Sequence, residues 1–454
     1  MNPLLHIPGL PDLQTSRQQV RERQEELSRL SRLHPRVHNL APLLDATLLF
    51  VAGASLRVRA AAGVDGEHPR SYLRHLSQNI HRIIQEVKNK SYQPDPARRV
   101  SIPKDDGTER HLGIPTVRDK HLQRGAQILL EAVYEPHFYP HSYGFRPHRS
   151  ARQAIQIFLD WMTVHDGAHV LEIDLSKFFD TIPHDQLMDV MSKRISDRAI
   201  LRLLWSWLKA GVVVDGNRAT SDRGTPQGAA ISPLLANVHL DEALDQWFTK
   251  VYSLTLNGES FLVRYADDFV LAFTDPGDAA QAQHDITHRL EQFGLTVNLK
   301  KTRLTDLRKP LAPQDGPAPE VNFLGITYYW KHCPVNGWHL ALRTSDKSIR
   351  RFSERLTSWI TTAGDILPEE LDTHIQSMIN GHRGYFSWEG NEEAISYVEH
   401  LALGARDQAL APEGRSHMNH NGTVPDPRRV RTRIRHTTTQ TSTTRTTSAS
   451  ICIS

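Results

Sequence analysis

Residues Phe261-Leu262-Val263-Arg264-Tyr265-Ala266-Asp267-Asp268-Phe269-Val270-Leu271-Ala272-Phe273 form an apolar stretch interrupted by two adjacent carboxylates. The flanks suit a buried β-hairpin. Burying an ion there costs several kcal/mol unless it is paired or bound to metal. A tight turn at Ala266-Asp267 resolves the conflict by lifting both acids to the hairpin tip, where a divalent cation offsets their charge. An Asp-Asp pair on an ordinary exposed turn is the simpler reading of those residues taken alone, and the apolar flanks weigh against it.

A second acid-bearing strand is expected at His169-Val170-Leu171-Glu172-Ile173-Asp174, with Phe179 five residues beyond Asp174. Two-metal phosphoryl transfer needs carboxylates from separate strands that bridge metals roughly 3.5–4 Å apart. Asp174, Asp267 and Asp268 meet that need. Magnesium takes oxygen ligands and keeps several waters, so two or three carboxylates suffice once substrate phosphates complete the shell. Asp180 reads as structural, a cap for the helix after Pro183.

Around these segments, helices are expected at 12–35, 71–89, 118–135, 150–162, 183–196, 231–249 and 277–293. A hairpin is expected between Val100 and Pro115 about an Asp105-Asp106-Gly107 turn. Ile349, Phe352, Leu356 and Ile360 mark a further helix, and Leu371, Ile375, Met378 and Ile379 another that Gly381 ends. From residue 405 to 454 an Arg-bearing and then Thr/Ser-rich composition predicts a disordered tail. No run of about 18 apolar residues occurs, so no membrane span is expected, and no secretory signal is read at the N-terminus. Cys333 and Cys452 suggest neither a disulfide framework nor a zinc site. A formal net charge of only +3 says little. Clusters at Arg98, Arg99, Lys104 and Arg110, at Lys300, Lys301 and Arg303, and at Arg428 to Arg435 fit phosphate binding in a groove, or ordinary solvated charge.

The two acid segments resemble motifs A and C of reverse transcriptases, with Tyr265-Ala266-Asp267-Asp268 as a Tyr-x-Asp-Asp box. Other blocks stand in the order found in group II intron-encoded proteins. Gly63-Val64-Asp65-Gly66 resembles the block ahead of their fingers. Arg98 to Lys104 with Arg110 to Thr116 resembles the first finger motif, and His141-Ser142-Tyr143-Gly144-Phe145-Arg146-Pro147-His148-Arg149-Ser150 the second. Gly224-Thr225-Pro226-Gln227-Gly228-Ala229-Ala230-Ile231-Ser232-Pro233-Leu234-Leu235-Ala236-Asn237 resembles motif B. Gly294 to Asn298 with Lys300-Lys301-Thr302 resembles motif D, and Asn322-Phe323-Leu324-Gly325 the block closing the palm. Ala229 and His148 stand where the family more often has Gly.

The resemblance implies an α+β right-hand polymerase: an N-terminal extension and fingers at 1–165, a palm with an antiparallel sheet and helices at 166–335, and a helical thumb at 340–404. It implies RNA-directed DNA synthesis with two Mg²⁺ ions, for which Mn²⁺ could substitute, held by Asp174, Asp267, Asp268 and the Leu175 backbone carbonyl. Lys104, Arg110, Phe179, Gln227 and Lys301 would bind the dNTP, with Phe179 as the gate against a 2′-hydroxyl. Arg146, Gly228, Tyr265, Arg350 and Arg351 would touch template or primer, although Arg146 equally suits a buttress of the fingers. Partners would be an RNA template, a DNA or RNA primer and a cognate structured RNA, in a bacterial cytoplasm and with the oligomeric state open. The implied role is intron mobility and splicing. The alternatives are a domesticated enzyme in phage defence, repair or a CRISPR-linked system, and a mainly RNA-binding maturase. His417-Met418-Asn419-His420-Asn421 only mimics an HNH nuclease string.

Overall fold

The structure, a computed structural model, describes residues 9–103, 109–214, 216–312, 318–363 and 367–410. The chain divides between Leu324 and Gly325 into two compact units. In the first, helix Leu13–Leu33 starts where the Asp12 carboxylate accepts from the Gln14 and Thr15 amides. It buries the Val20 and Leu27 stripe and leaves its Arg and Glu residues outside. Ser28 and Ser31 donate to the carbonyls of Ala132 and Val133, tying it to helix Val117–Tyr134. Helix Ala46–Ala54, of sequence ATLLFVAGA, is apolar on every side and sits in the core. Without an amphipathic period it carried no signal in the sequence.

Two four-stranded sheets organise this unit. Strands β1 (Ala97–Pro103) and β2 (Glu109–Ile114) form the expected hairpin, whose turn lies outside the described residues. β3 is His169–Ile173, and β4 (Val212–Val214) and β5 (Asn217–Ala219) make a second hairpin. β6 (Ser260–Tyr265), β7 (Asp268–Phe273) and β8 (Arg303–Asp306) complete the set. One sheet runs β2-β1-β4-β5, with β1 parallel to β4. The sheet thus joins strands from both sides of the expected boundary at residue 165, because β4 and β5 pair with β1 from within the span expected as palm. Three-residue strands that pair only at long range give no local signal.

The other sheet runs β6-β7-β3-β8 and is antiparallel throughout. Opposed pairs Leu171–Leu271 and Ile173–Phe269 share the buried face, against which helix Pro276–Gln292 packs. Glu172 and Val270 point to the other face.

In the second unit, β9 (Ile326–Cys333) and β10 (Gly337–Thr344) form an antiparallel hairpin followed by helices Asp346–Ala363, Pro368–Phe386 and Glu392–Leu410. Leu356, Leu371, Ile375, Val398 and Ala402 form their common core. Three expected boundaries move. The unit begins ahead of residue 335, because Ile326–Cys333 pairs forward with Gly337–Thr344. Gly381 does not end its helix, which runs on through Gly384 to Phe386 because Ile379 and His382 remain buried on its inner face. The last helix continues past residue 404 to Leu410, and residues 411–454 lie outside the described residues. No helix among the described residues is long and apolar enough to cross a membrane.

Two buried histidines of the first unit each contribute a stability that acid removes. His121 Nε2–H donates to the Leu49 carbonyl (2.6 Å), so its Nδ1 accepts from the Tyr72 hydroxyl (2.9 Å). His239 Nε2–H donates to the Phe293 carbonyl (3.0 Å). Burial holds both rings down to about 4, against about 6.5 in an unfolded chain. Below 6.5 the unfolded chain therefore binds protons that the native state refuses. Each histidine's contribution is full above that pH and is lost toward pH 4, on the order of 3 kcal/mol apiece. The carboxyls of Glu172 and Asp241, pushed up by burial, act in the opposite sense over the same range. Thermal melts from pH 7.5 to 4.5 check this, and His239→Gln should flatten the slope. An unchanged slope in that variant would refute the assignment.

Candidate active site

The catalytic-type acids converge because of register. Tyr265 pairs with Asp268, so Ala266 and Asp267 form a two-residue turn between β6 and β7. Ala266 takes a left-handed φ of 58°, as hairpin turns of the primed types require at that position, at a cost of about 1–2 kcal/mol for a non-glycine residue. Ile173 lies opposite Phe269, so Asp174 leaves β3 beside this turn. Beyond it, Asn298 N–H donates to the Asp174 carbonyl and Ser176 N–H to that of Thr296, both at 2.8 Å, around the Leu175–Val297 bridge. In that pattern Leu175's own carbonyl points away from Val297, toward the β7 side.

Burial pushes the half-buried Asp267 carboxyl above its ordinary range, and the Asp174 charge adds to this; Arg110 and Arg264 oppose it. Asp174, Asp267 and Arg110 are thus brought together from β3, the turn and β2. Asp268 is exposed. Its charge reaches Glu172, which burial above all pushes up to about 7 while the Asn322 N–H bond (3.1 Å) and Arg303 pull it down. Among the described residues no group of three or more His, Cys, Asp or Glu side chains forms a ready-made metal centre. The donors here are carboxylate and carbonyl oxygens, the ligand class of hard divalent cations. A cation would offset the repulsion between Asp174 and Asp267.

Motif B closes the side of the site nearest β2. Gly113 N–H donates to the Gln227 carbonyl at 2.8 Å. Gly228 sits at a φ of 122°, where a Cβ would meet the Gly113 carbonyl oxygen at 2.8 Å. Thr225 N–H donates to the Phe179 carbonyl at 2.7 Å, and Gly224 N–H to that of Ile182 at 2.8 Å. Motifs A and B are therefore joined by backbone. The half-buried Phe179 ring meets Phe145 edge-on, with centroids 6.4 Å apart. Phe145 is itself 52% exposed.

Of the other expected site residues, Lys104 lies outside the described residues. Lys301 is exposed, its N–H bonded to the Asn298 carbonyl at the Asp174 end of β3. Tyr265 is half-buried at the hairpin tip, and Arg350 and Arg351 are exposed on helix Asp346–Ala363 of the second unit.

Arg146 takes the buttress alternative, and Asp180 departs from its expected cap. Arg146 does not reach for template: its buried guanidinium bonds Glu135 through Nε and Nη2 (3.0–3.2 Å), while Nη1 donates to the Tyr139 and Ser142 carbonyls. It is a buttress. Asp180 does not cap helix His184–Arg194, whose first turn follows Pro183 without a side-chain cap. Asp180 instead lends its backbone to the close approach of Gly224. His148, which replaces a frequent Gly, holds a left-handed φ of 59° that Gly would adopt freely.

The sequence reading missed Arg264, Asp245 and Glu172. An Arg inside the apolar β6 run, like the Glu inside β3, was the available signal, because a charge there demands a buried partner.

Comparison with known proteins agrees with this geometry. Residues 102–328 match the family described as "Reverse transcriptase (RNA-dependent DNA polymerase)". Protein YkfC of Escherichia coli (strain K12) is 33% identical over 345 residues, covering 67% of this chain and 86% of YkfC. Group II intron-encoded protein LtrA of Lactococcus lactis subsp. cremoris is 36% identical over 202 residues, covering 44% of this chain and 33% of LtrA. Nuclear intron maturase 4 of Arabidopsis thaliana is 30% identical over 142 residues, covering 31% of this chain and 18% of that protein. The chain thus spans most of YkfC but about a third of LtrA. Reverse transcriptases use divalent metal ions and bind an RNA template and a primer. With half its length matching the family and the acids gathered at one hairpin tip, this chain belongs to the reverse transcriptases, RNA-directed DNA polymerases, and to their group II intron-like kind.

Proposed function

We propose that Asp174, Asp267, Asp268 and the Leu175 carbonyl hold two Mg²⁺ ions, with Mn²⁺ able to substitute, for addition of dNTPs to a primer 3′-hydroxyl on an RNA template. The observation that carries this reading is the register that sets Asp174, at the end of β3, beside the Ala266-Asp267 turn of the neighbouring hairpin. The metal ions supply activation of the attacking hydroxyl and neutralisation of the departing pyrophosphate. The chain's own residues do the rest. Arg110, with Lys104 and Lys301, draws the triphosphate toward the hairpin tip by charge. Gln227 and Gly228, braced on Gly113, line the nascent base pair and leave room for template backbone. Tyr265 stands beside the primer end. Arg350 and Arg351 grip an RNA–DNA duplex through its shape rather than its sequence.

Phe179 lies under the sugar and excludes a 2′-hydroxyl. Phe179→Ala should lower discrimination against ribonucleotides by about 10²-fold, the scale on which an apolar wall rejects a hydroxyl. Competing dCTP against CTP in single-nucleotide extension measures it, and unchanged selectivity would remove Phe179 from this role. Primer extension on an RNA template with dNTPs and Mg²⁺ tests the reading as a whole, Asp267→Asn serving as the null variant.

Relatives named as intron-encoded proteins and maturases support a role in intron mobility and splicing, with the intron's own structured RNA as cognate partner. Intron RNA domains flanking the gene would bear this out; neighbouring defence genes would favour domestication.

A further inference from the structure

Arg264 of the β6–β7 hairpin enters a buried ion pair that the two-metal scheme does not use. Arg264 and Asp245 are both fully buried. Arg264 Nε donates to both Asp245 carboxylate oxygens (2.9 and 3.0 Å), and Nη2 donates to Oδ2. Its remaining nitrogen, Nη1, donates to Asn237 Oδ1 and to the carbonyl of Ala266, each at 3.0 Å. Ala266 is the residue held at positive φ next to Asp267. Asn237 Nδ2 donates in turn to the Gly144 carbonyl at 2.7 Å, and Gly144 lies flat on the amide of Ala266.

Asn237 and Asp245 reach the same guanidinium because of an irregular helix. The segment runs Ser232–Leu240 as α-helix, Asp241–Asp245 as a π-turn and Gln246–Lys250 as α-helix again. Eight residues of α-helix overshoot two full turns. The wider i→i+5 turn takes up that overshoot and brings Asp245 under Asn237. A buried ion pair is a weak source of stability, so what this one decides is geometry.

We propose that Arg264 is a positioning residue: held by Asp245 and Asn237 across the π-turn, its Nη1 fixes the Ala266 carbonyl and so sets where Asp267 presents its carboxylate to a divalent cation. This rests on the reading of Asp267 as a metal ligand.

The test uses the full chain with bound RNA–DNA primer-template. Mn²⁺ binding is followed by electron paramagnetic resonance, and single-nucleotide extension is measured alongside. The double variant Arg264→Met/Asp245→Leu removes both charges of the pair together, and the neighbouring Asp241 keeps its bonds from the Tyr139 amide and Gln246. It should remain folded, yet bind Mn²⁺ about tenfold more weakly and extend about tenfold or more slowly, with KM for dNTP nearly unchanged. Asn237→Ala keeps the ion pair and should weaken Mn²⁺ binding by about threefold; it carries the test if the double variant does not fold. Wild-type Mn²⁺ binding in the folded variants would overturn the proposal, provided Asp267→Asn abolishes that binding. If Asp267→Asn also binds as wild type, the metal assignment itself fails and this proposal falls with it.

Discussion

Asp267→Asn is expected to slow dNTP addition by roughly 10³–10⁴-fold, because losing the proposed metal ligand would forfeit several kcal/mol of charge stabilisation in the transition state and each 1.36 kcal/mol is tenfold in rate. The same substitution should leave the fold intact. Asn matches Asp in shape, and it removes a carboxylate that burial and the nearby Asp174 charge already disfavour. The melting temperature should therefore hold or rise slightly, the signature of a site that trades stability for chemistry. Asp174→Asn should behave alike. The double variant should fall little further than either single one, since groups that act as a unit are not additive. Rapid-quench extension rates and circular-dichroism melts measure the two halves. An Asp267→Asn enzyme within a few-fold of wild type would end the metal-ligand reading.

Gly144→Ala is expected to be nearly as damaging through a different route. A Cβ at Gly144 would stand 2.2 Å from the Ala266 nitrogen and 2.9 Å from both the Ala266 Cα and the Tyr265 carbonyl carbon. All three are backbone atoms, so no rotamer change relieves the clash. The two segments would have to separate, against the Tyr143 N–H bond to the Arg264 carbonyl (2.8 Å), the Arg264 N–H bond to the His141 carbonyl (3.0 Å) and the Asn237 bond to Gly144. Overpacking of this kind costs about 1–3 kcal/mol or more, roughly 1.5–5 °C in melting temperature for a unit of this size. Displacing the Asp267 turn by about 1 Å should cost about 10²-fold in rate. Full activity in Gly144→Ala would show that the turn tolerates movement, and would count against the positioning role of Arg264 as well.

The contrast between Gly144 and Gly381 shows what glycine in a sequence does and does not say. Both look like punctuation. At Gly381 a Cβ would meet nothing, and the helix passes through it. At Gly144 the missing Cβ is what lets its segment lie against the β6–β7 hairpin. Only contacts between residues more than a hundred positions apart distinguish the two cases.

Local chemistry determined a good deal by itself. The continuous apolar runs around Asp267 and Asp268 required a hairpin with its acids at the tip, and the strand leading to Asp174 was equally plain, because burying unpaired carboxylates is too costly for other arrangements. Amphipathic spacing marked helices such as Leu13–Leu33 and Pro276–Gln292, since a 3.6-residue period is written into the residues themselves. The order of short motifs marked the family. Tertiary structure decided the rest. It set which strands neighbour β1, which acids feel each other's charge, why Arg146 buttresses instead of binding, and how a π-turn brings Asp245 and Asn237 to one guanidinium. The physical reason is range: periodicity and turn chemistry act over a few residues, whereas register, burial and charge pairing exist only after distant segments have met.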